Sequence, residues 1–189
     1  MTAFPTLIII DMQHCMAIPE AGQRNNPQAE TSIASLLAVW RAAKAPIVHV
    51  RHISRSPGSG FAPGQPGAAF QPAFEPRQGE HVVEKNVPDA FINTGLERWL
   101  RIRGLEKLVM VGVSTNISVE DSARSAGNLA FSTTVVSDAT FAFARRDHAG
   151  TWRSADEVHA MSLSNLDGEY AAITDTRTLL ATLERQTTS

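Results

Sequence analysis

Residues 107–119 read KLVMVGVSTNISV, and the fold turns on how this stretch is read. LVMVGV is an unbroken apolar run of strand length. VEDSARSAGNLA (119–130) follows it and places Val119, Ala123, Ala126 and Ala130 at helical spacing. The pattern predicts a buried strand ending near Val113, a short polar turn, and a helix starting between Asn116 and Ser118. A side chain in such a turn points out of the carboxyl edge of a sheet, where open α/β folds place their chemistry. Ser118 can be read there as a nucleophile, as a helix cap, or as a residue standing in for another.

The same grammar repeats outward from this point. TLIIID (6–11) is a β-branched run closed by an acid and reads as a central parallel strand. Residues 29–44 put Ile33, Leu36, Leu37 and Trp40 on one helical face, and PIVHVRH (46–52) is the second strand. HVVEK (81–85) is a short third strand. TGLERWLRIRG (94–104) is a helix capped by Thr94 or Asn93 and closed by Gly104. STTVVSDA (132–139) and YAAITDT (170–176) read as strands, with helices over 154–166 and 177–184. Strands alternating with helices over short connections imply a doubly wound, mainly parallel sheet covered on both faces. The expected fold is a three-layer α/β/α sandwich in one domain over 1–189. Residues 53–79 hold half of the prolines and form a long loop or lid. Its Phe61, Phe70 and Phe74 line a pocket, reach a neighbouring subunit, or take the commoner fate of core packing.

Composition excludes several classes. A formal net charge of −2 with scattered basic residues argues against nucleic acid and anionic membrane as partners. No apolar run approaches membrane-spanning length. The start, MTAFPTLIIIDMQ, lacks the basic and apolar regions of a signal peptide. The single cysteine, Cys15, forms no internal disulfide and fits a reducing cytoplasm. DMQHCM stands where a Gly-rich dinucleotide turn would be, and there is no Walker-type loop, so no nucleotide cofactor is expected.

Three residues fall at strand ends. Asp11 closes the first strand, either as a carboxylate cap or as a general base or acid held at a buried edge. Lys85 closes the third, either solvated or as a cation steadying a carboxylate and a negatively charged transition state. Ser118 sits at a helix start whose N–H groups favour an anion.

Five motifs, IIIDMQ, PIVHVRH, KNVPDAF, GVSTNISV and VVSDA (ending at Asp138 and Ala139), together resemble the isochorismatase-like hydrolases, often called cysteine hydrolases, almost end to end. The resemblance implies an isochorismatase-like fold and a triad of Asp11, Lys85 and the residue at the nucleophile position, usually cysteine and here Ser118. It further implies a cis peptide between Val113 and Ser114, an oxyanion hole built from the N–H groups of Ser114 and Ser118, no cofactor, and a homo-oligomer of two or more chains. The substrate implied is a small organic molecule with an amide-like C–N bond. Gln13, His52, Phe91 and Asn116 are the expected substrate contacts, with Asn116 alternatively a cap. Asp89 stands where the family usually has serine. The zinc-binding members carry an Asp-x-His that is missing beside His49 and His52, so no metal is expected. His49 and His159 read as structural.

Serine in place of cysteine matters. A thiol near pKa ~8.5 facing an aspartate near ~3.9 leaves a proton-transfer mismatch of about 4.6, or roughly 6 kcal/mol before tuning, and a hydroxyl widens it. Serine nucleophiles usually rely on histidine. Ser118 therefore reads as a working but slow nucleophile, as a replacement that traps substrate or suppresses reactivity, as a bystander to vinyl-ether cleavage by the aspartate alone, or as a mark of lost activity. Cys15 as a substitute nucleophile would need its own base and oxyanion donors, and a lone cysteine is more often a small hydrophobe.

Overall fold

The computed structural model describes residues 4–187. Strands β1 (Thr6–Ile10), β2 (Ile47–His52), β3 (His81–Lys85), β4 (Lys107–Val113) and β5 (Ser132–Phe141) belong to the main sheet. Strands β6 (Arg145–Arg146) and β7 (Trp152–Arg153) pair with each other as a separate antiparallel ribbon, and β8 (Ala172–Thr174) returns to the main sheet. The main sheet is parallel throughout, in the order β3-β2-β1-β4-β5-β8.

All five residues of β1 are buried because alternate side chains serve opposite faces of the sheet. Leu7 and Ile9 join Val109 and Val111 beneath Ile33, Leu36, Leu37 and Trp40 of α1 (Ala29–Ala42) and Leu183 of α5 (Thr176–Thr187). Ile8 and Ile10 join Leu108 and Met110 on the other face. That face is covered by Leu96 and Leu100 of α2 (Leu96–Ile102), Ala123 and Ala126 of α3 (Glu120–Asn128), and Leu166 of α4 (Ala155–Leu166). The three layers expected from the alternation of strands and helices are thus present. None of the described helices is long and apolar enough to cross a membrane.

Several boundaries differ from the periodicity, each for a tertiary reason. The strand ending in the Asp138 motif runs on to Phe141, because the β4–β5 register shifts between Met110 and Gly112 and lets Gly112 pair with Thr140 and Val113 with Phe141. Asp138 therefore lies inside the strand, where its Oδ1 accepts from the backbone N–H (2.8 Å) and hydroxyl (2.9 Å) of Thr176 at the start of α5. The last strand is only three residues long, since 175–176 already turn into α5. Helix α2 begins at Leu96, and the Thr94 hydroxyl accepts from its N–H at 3.3 Å. The 145–153 ribbon carries no alternating pattern that could have announced it.

Strands β1 to β3 build to one side of β1 and β4 to the other. The chain thus changes direction between the carboxyl ends of β1 and β4, which opens the crevice where such sheets bind ligands.

Candidate active site

The residue after β1 is Asp11, which continues the ladder through its N–H to Val50 O (2.9 Å) and then takes a left-handed backbone (φ 52°). An aspartate tolerates that conformation better than most side chains. Lys85 ends β3 two residues after Val83, so the pleat turns both inward while Val82 and Glu84 face out. His52 and Lys85 are register partners at the ends of β2 and β3.

Beyond β4 the chain does not enter an α-helix directly. The Val113–Ser114 peptide is cis, and Thr115–Val119 form a π-helical turn in which Ile117 N–H (3.1 Å) and Val119 N–H (3.2 Å) both donate to Ser114 O. Such turns concentrate at functional sites. Helix α3 starts only at Glu120, with Glu120 and Asp121 in its first turn. The turn is clamped from α4: Ser162 Oγ donates to Thr115 O (3.0 Å), and Thr115 Oγ1 meets His159 Nδ1 (2.9 Å). Thr115 and Ser162 escape sequence reasoning because the clamp spans more than forty residues and neither residue type signals it. His159 is structural, as its position suggested, and burial holds its pKa below the usual imidazole range.

These elements bring Asp11, Lys85 and Ser118 into one buried cluster, at 2%, 2% and 7% exposure. The Lys85 ammonium donates to Asp11 Oδ2 at 2.7 Å and to Ser118 Oγ at 3.2 Å. Asp11 Oδ1 is buried and accepts no hydrogen bond. Burial pushes the Asp11 carboxyl above the usual range, while Lys85 and the Ser118 hydroxyl pull it back. Because Lys85 donates to Oγ, the Ser118 proton is left free to point at the carboxylate.

The other expected contacts divide. The His52 ring lies near the cluster, edge-on to Phe61 (centroids 5.3 Å apart), and burial followed by the Lys85 charge keeps its pKa low. Ser114 begins the turn, and its hydroxyl donates to Asn116 Oδ1 (3.3 Å). Asn116 itself lines an open groove against α4 with Glu157 and Met161. Phe91 packs in the core beside Phe131 (centroids 5.9 Å), and its N–H is held by Asp89 Oδ1 (2.7 Å). Packing, rather than substrate contact, is the role this placement gives Phe91. Asp89 also accepts from the Ser125 hydroxyl, so the acid in the usual serine position ties the 86–91 turn to α3.

Gln13 is fully buried. Its amide donates to His52 O (2.9 Å) and Ala68 O (2.8 Å), and its Oε1 accepts from His52 N–H (2.8 Å). Both amide hydrogens are engaged by backbone, so Gln13 fastens the 53–79 loop to the sheet edge instead of presenting a donor to substrate. Replacing Gln13 by alanine strands these backbone groups and is expected to lower stability by about 2–4 kcal/mol. Urea unfolding should read that loss, and limited proteolysis should show faster nicking within 53–79. Phe70 and Phe74 are core residues of the loop, as the packing alternative foresaw.

Cys15 is half-buried, and burial pushes its thiol up to about 11. It stays protonated near neutrality, which removes it as a substitute nucleophile. Among the described residues no group of three or more His, Cys, Asp or Glu side chains is placed to hold a metal ion.

An acid, a lysine and a hydroxyl thus lie buried together at the switch point of a doubly wound α/β sheet. The chain belongs to the isochorismatase family: residues 5–178 match the Isochorismatase domain, and the chain is a hydrolase of that family. It is 36% identical over 174 residues to the isochorismatase family protein YrdC of Bacillus subtilis, covering 92% of this chain and 93% of that one. A solved isochorismatase-family hydrolase from Chromobacterium violaceum is 51% identical and superposes with a TM-score of 0.93, covering 96% and 94% of the two chains. The ureidoacrylate amidohydrolase RutB of Acinetobacter baylyi is 30% identical over 111 residues, which are 59% of this chain and 41% of that enzyme.

Proposed function

We propose that the chain hydrolyses an amide-like C–N bond in a small organic molecule, with Asp11, Lys85 and Ser118 as its working groups. The observation that carries this reading is the buried Lys85 ammonium bridging Asp11 Oδ2 and Ser118 Oγ. The amidohydrolase among the relatives supports the bond type.

In this reading Ser118 Oγ attacks the carbonyl carbon as its proton passes to Asp11. Burial of Asp11 narrows the proton-transfer mismatch by making the carboxylate a better base, and the lysine stabilises the developing alkoxide. The N–H groups of Ser114, just before the π turn, and Ser118, within it, receive the oxyanion. Asp11 then protonates the departing nitrogen, the C–N bond breaks, and water hydrolyses the acyl-serine with Asp11 again as base.

A second reading is favoured by the same acid's raised pKa and its unoccupied Oδ1. A protonated Asp11 could deliver its proton to a vinyl ether and leave Ser118 idle. Turnover of amides, ureas and vinyl ethers by the parent, Ser118→Cys, Ser118→Ala and Asp11→Asn separates the two. Amide turnover by the parent should fall at least about 10³-fold in Ser118→Ala, and Ser118→Cys should exceed the parent. Ether cleavage that survives Ser118→Ala and is lost in Asp11→Asn would instead establish the acid-only chemistry. Saturable binding without turnover by any variant would leave a binding protein.

A further inference from the structure

The turn that carries Ser118 takes its shape from outside the catalytic cluster. A single π turn is a rare geometry and persists where other contacts favour it over α-helix. Ile117 N–H and Val119 N–H converge on Ser114 O, and the N–H of Glu120, which opens α3, reaches back to Ile117 O and Thr115 O. The remaining grip on Thr115 comes from α4. Its carbonyl also accepts from Ser162 Oγ (3.0 Å), and its hydroxyl meets His159 Nδ1 (2.9 Å). Thr115, Ser162 and His159 are 0%, 2% and 8% exposed, so both bonds are made away from water.

The helix that grips is itself fixed. A capping box closes its first turn, with Glu157 N–H donating to Ser154 Oγ (3.2 Å) and Ser154 N–H to Glu157 Oε2 (2.7 Å). Its last residue, Leu166, is buried in the core. His159 and Ser162 stand three residues apart and so share the helix face turned to Thr115, while Met161 is exposed.

What this grip secures has little tolerance. Ser118 Oγ lies 3.2 Å from the Lys85 ammonium, at the long end of the hydrogen-bond range, whereas Asp11 Oδ2 lies at 2.7 Å. A displacement of Ser118 by about half an ångström would end the first contact and leave the second intact. Thr115 stands between Ser114 and Ser118, the two residues whose N–H groups would receive the oxyanion, so a shift at Thr115 moves all three.

We propose that Thr115 and Ser162 are positioning residues: their buried bonds to α4 keep the π turn from relaxing into the helix that follows it, and so hold the Ser118 side chain on the Lys85 ammonium. The proposal rests on the reading of Ser118 as the nucleophile position, and it is tested without substrate so that the two can fail separately. Ser118→Cys in a Cys15→Ala background makes the position a titratable probe, and alkylation by iodoacetamide between pH 5 and pH 10, followed by intact mass, gives its apparent pKa. A thiol beside the ammonium, with Asp11 to take its proton, should titrate below the free value of ~8.5.

Thr115→Val keeps the shape and removes the hydroxyl. Combined with Ser162→Ala it should raise the apparent pKa by about one unit and slow alkylation at pH 7 about tenfold. Thr115→Ser with Ser162 intact keeps both bonds and should give the parent profile, and Ser162→Ala alone should give a smaller shift in the same direction if the double variant does not fold. Leu183→Ala, in the core on the opposite face of the sheet, is the structural control: it should lower the thermal midpoint without moving the profile. A profile unmoved by Thr115→Val and Ser162→Ala, or moved equally by Leu183→Ala, would overturn the positioning role. A parent thiol at the free value, indifferent to Lys85→Met, would remove the nucleophile reading and the positioning role with it. A profile that shifts as expected in a protein that hydrolyses no amide would leave the positioning role standing and sink the amide reading alone.

Discussion

Replacing Lys85 by methionine is expected to abolish turnover and to lower stability by about 3–5 kcal/mol at pH 8, the usual consequence of removing one partner from a buried ion pair. Methionine fills the lysine stem but leaves the Asp11 carboxylate buried without its cation, and the hydroxyl of Ser118 without its donor. The pH dependence gives the sign. Burial already raises the Asp11 carboxyl above its unfolded value and Lys85 opposes that rise, so the substitution moves it higher still. An acid whose folded pKa exceeds its unfolded one contributes stability that is fully present below the unfolded pKa and lost as pH rises through the folded one. The deficit of Lys85→Met should therefore be largest at pH 8 and shrink toward pH 5, as Asp11 takes up a proton and no longer needs a partner. Urea unfolding at several pH values reads this directly. The Asp11→Asn, Lys85→Met double variant should recover much of the loss at pH 8 while remaining inactive. A deficit independent of pH would mean that the carboxyl is already neutral in the parent, and would favour the acid-only chemistry.

Gly112→Ala is expected to cost about 3–5 kcal/mol and to leave much of the protein insoluble. Gly112 lies in β4 beside Ile10, with φ +120°, and a Cβ there would sit 2.1 Å from Ile10 O and 2.8 Å from Ile10 N. Both neighbours are backbone of the central strand, so no side chain can swing away. Because Ile10 directly precedes Asp11 and Gly112 stands two residues before Ser114, any separation of the strands would also spread the sheet edge that carries Asp11 and Ser118. Gly168→Ala is the control: it too has positive φ (+77°) but nothing within 4 Å of its Cβ, and it should lose only the backbone component, on the order of 1 kcal/mol. Equal losses for the two variants in urea unfolding would show that the close approach of β1 and β4 contributes nothing.

Most of the architecture was legible because it depends on short-range pattern. A run such as TLIII, four apolar residues after a β-branched threonine, announces a strand buried on both faces, and Ile33, Leu36, Leu37 and Trp40 announce a one-sided helix. The three candidate residues were legible for a related reason: Asp11 follows β1, Lys85 closes β3 and Ser118 lies in the turn after β4, and parallel strands deliver their ends to one edge. The 53–79 loop was readable as a loop, but its internal order was not, because it comes from Gln13 reaching across 39 and 55 residues to His52 and Ala68. Phe91 and Gln13 look like pocket residues in a motif, and packing claims both.

What the sequence alone determined was the alternation of elements, and with it the parallel sheet, its two covered faces and the carboxyl-edge position of Asp11, Lys85 and Ser118. Local propensity and hydrophobic period suffice for that, since each depends on neighbours within about ten residues. The tertiary structure alone decided that Lys85 reaches both Asp11 and Ser118, that Ser118 rides a π turn rather than the first turn of α3, and that Cys15 is a half-buried thiol that stays protonated. Those outcomes depend on burial and on partners many residues away. Desolvation and a cation at 2.7 Å set the state of a carboxyl group, and no spacing in the chain encodes either.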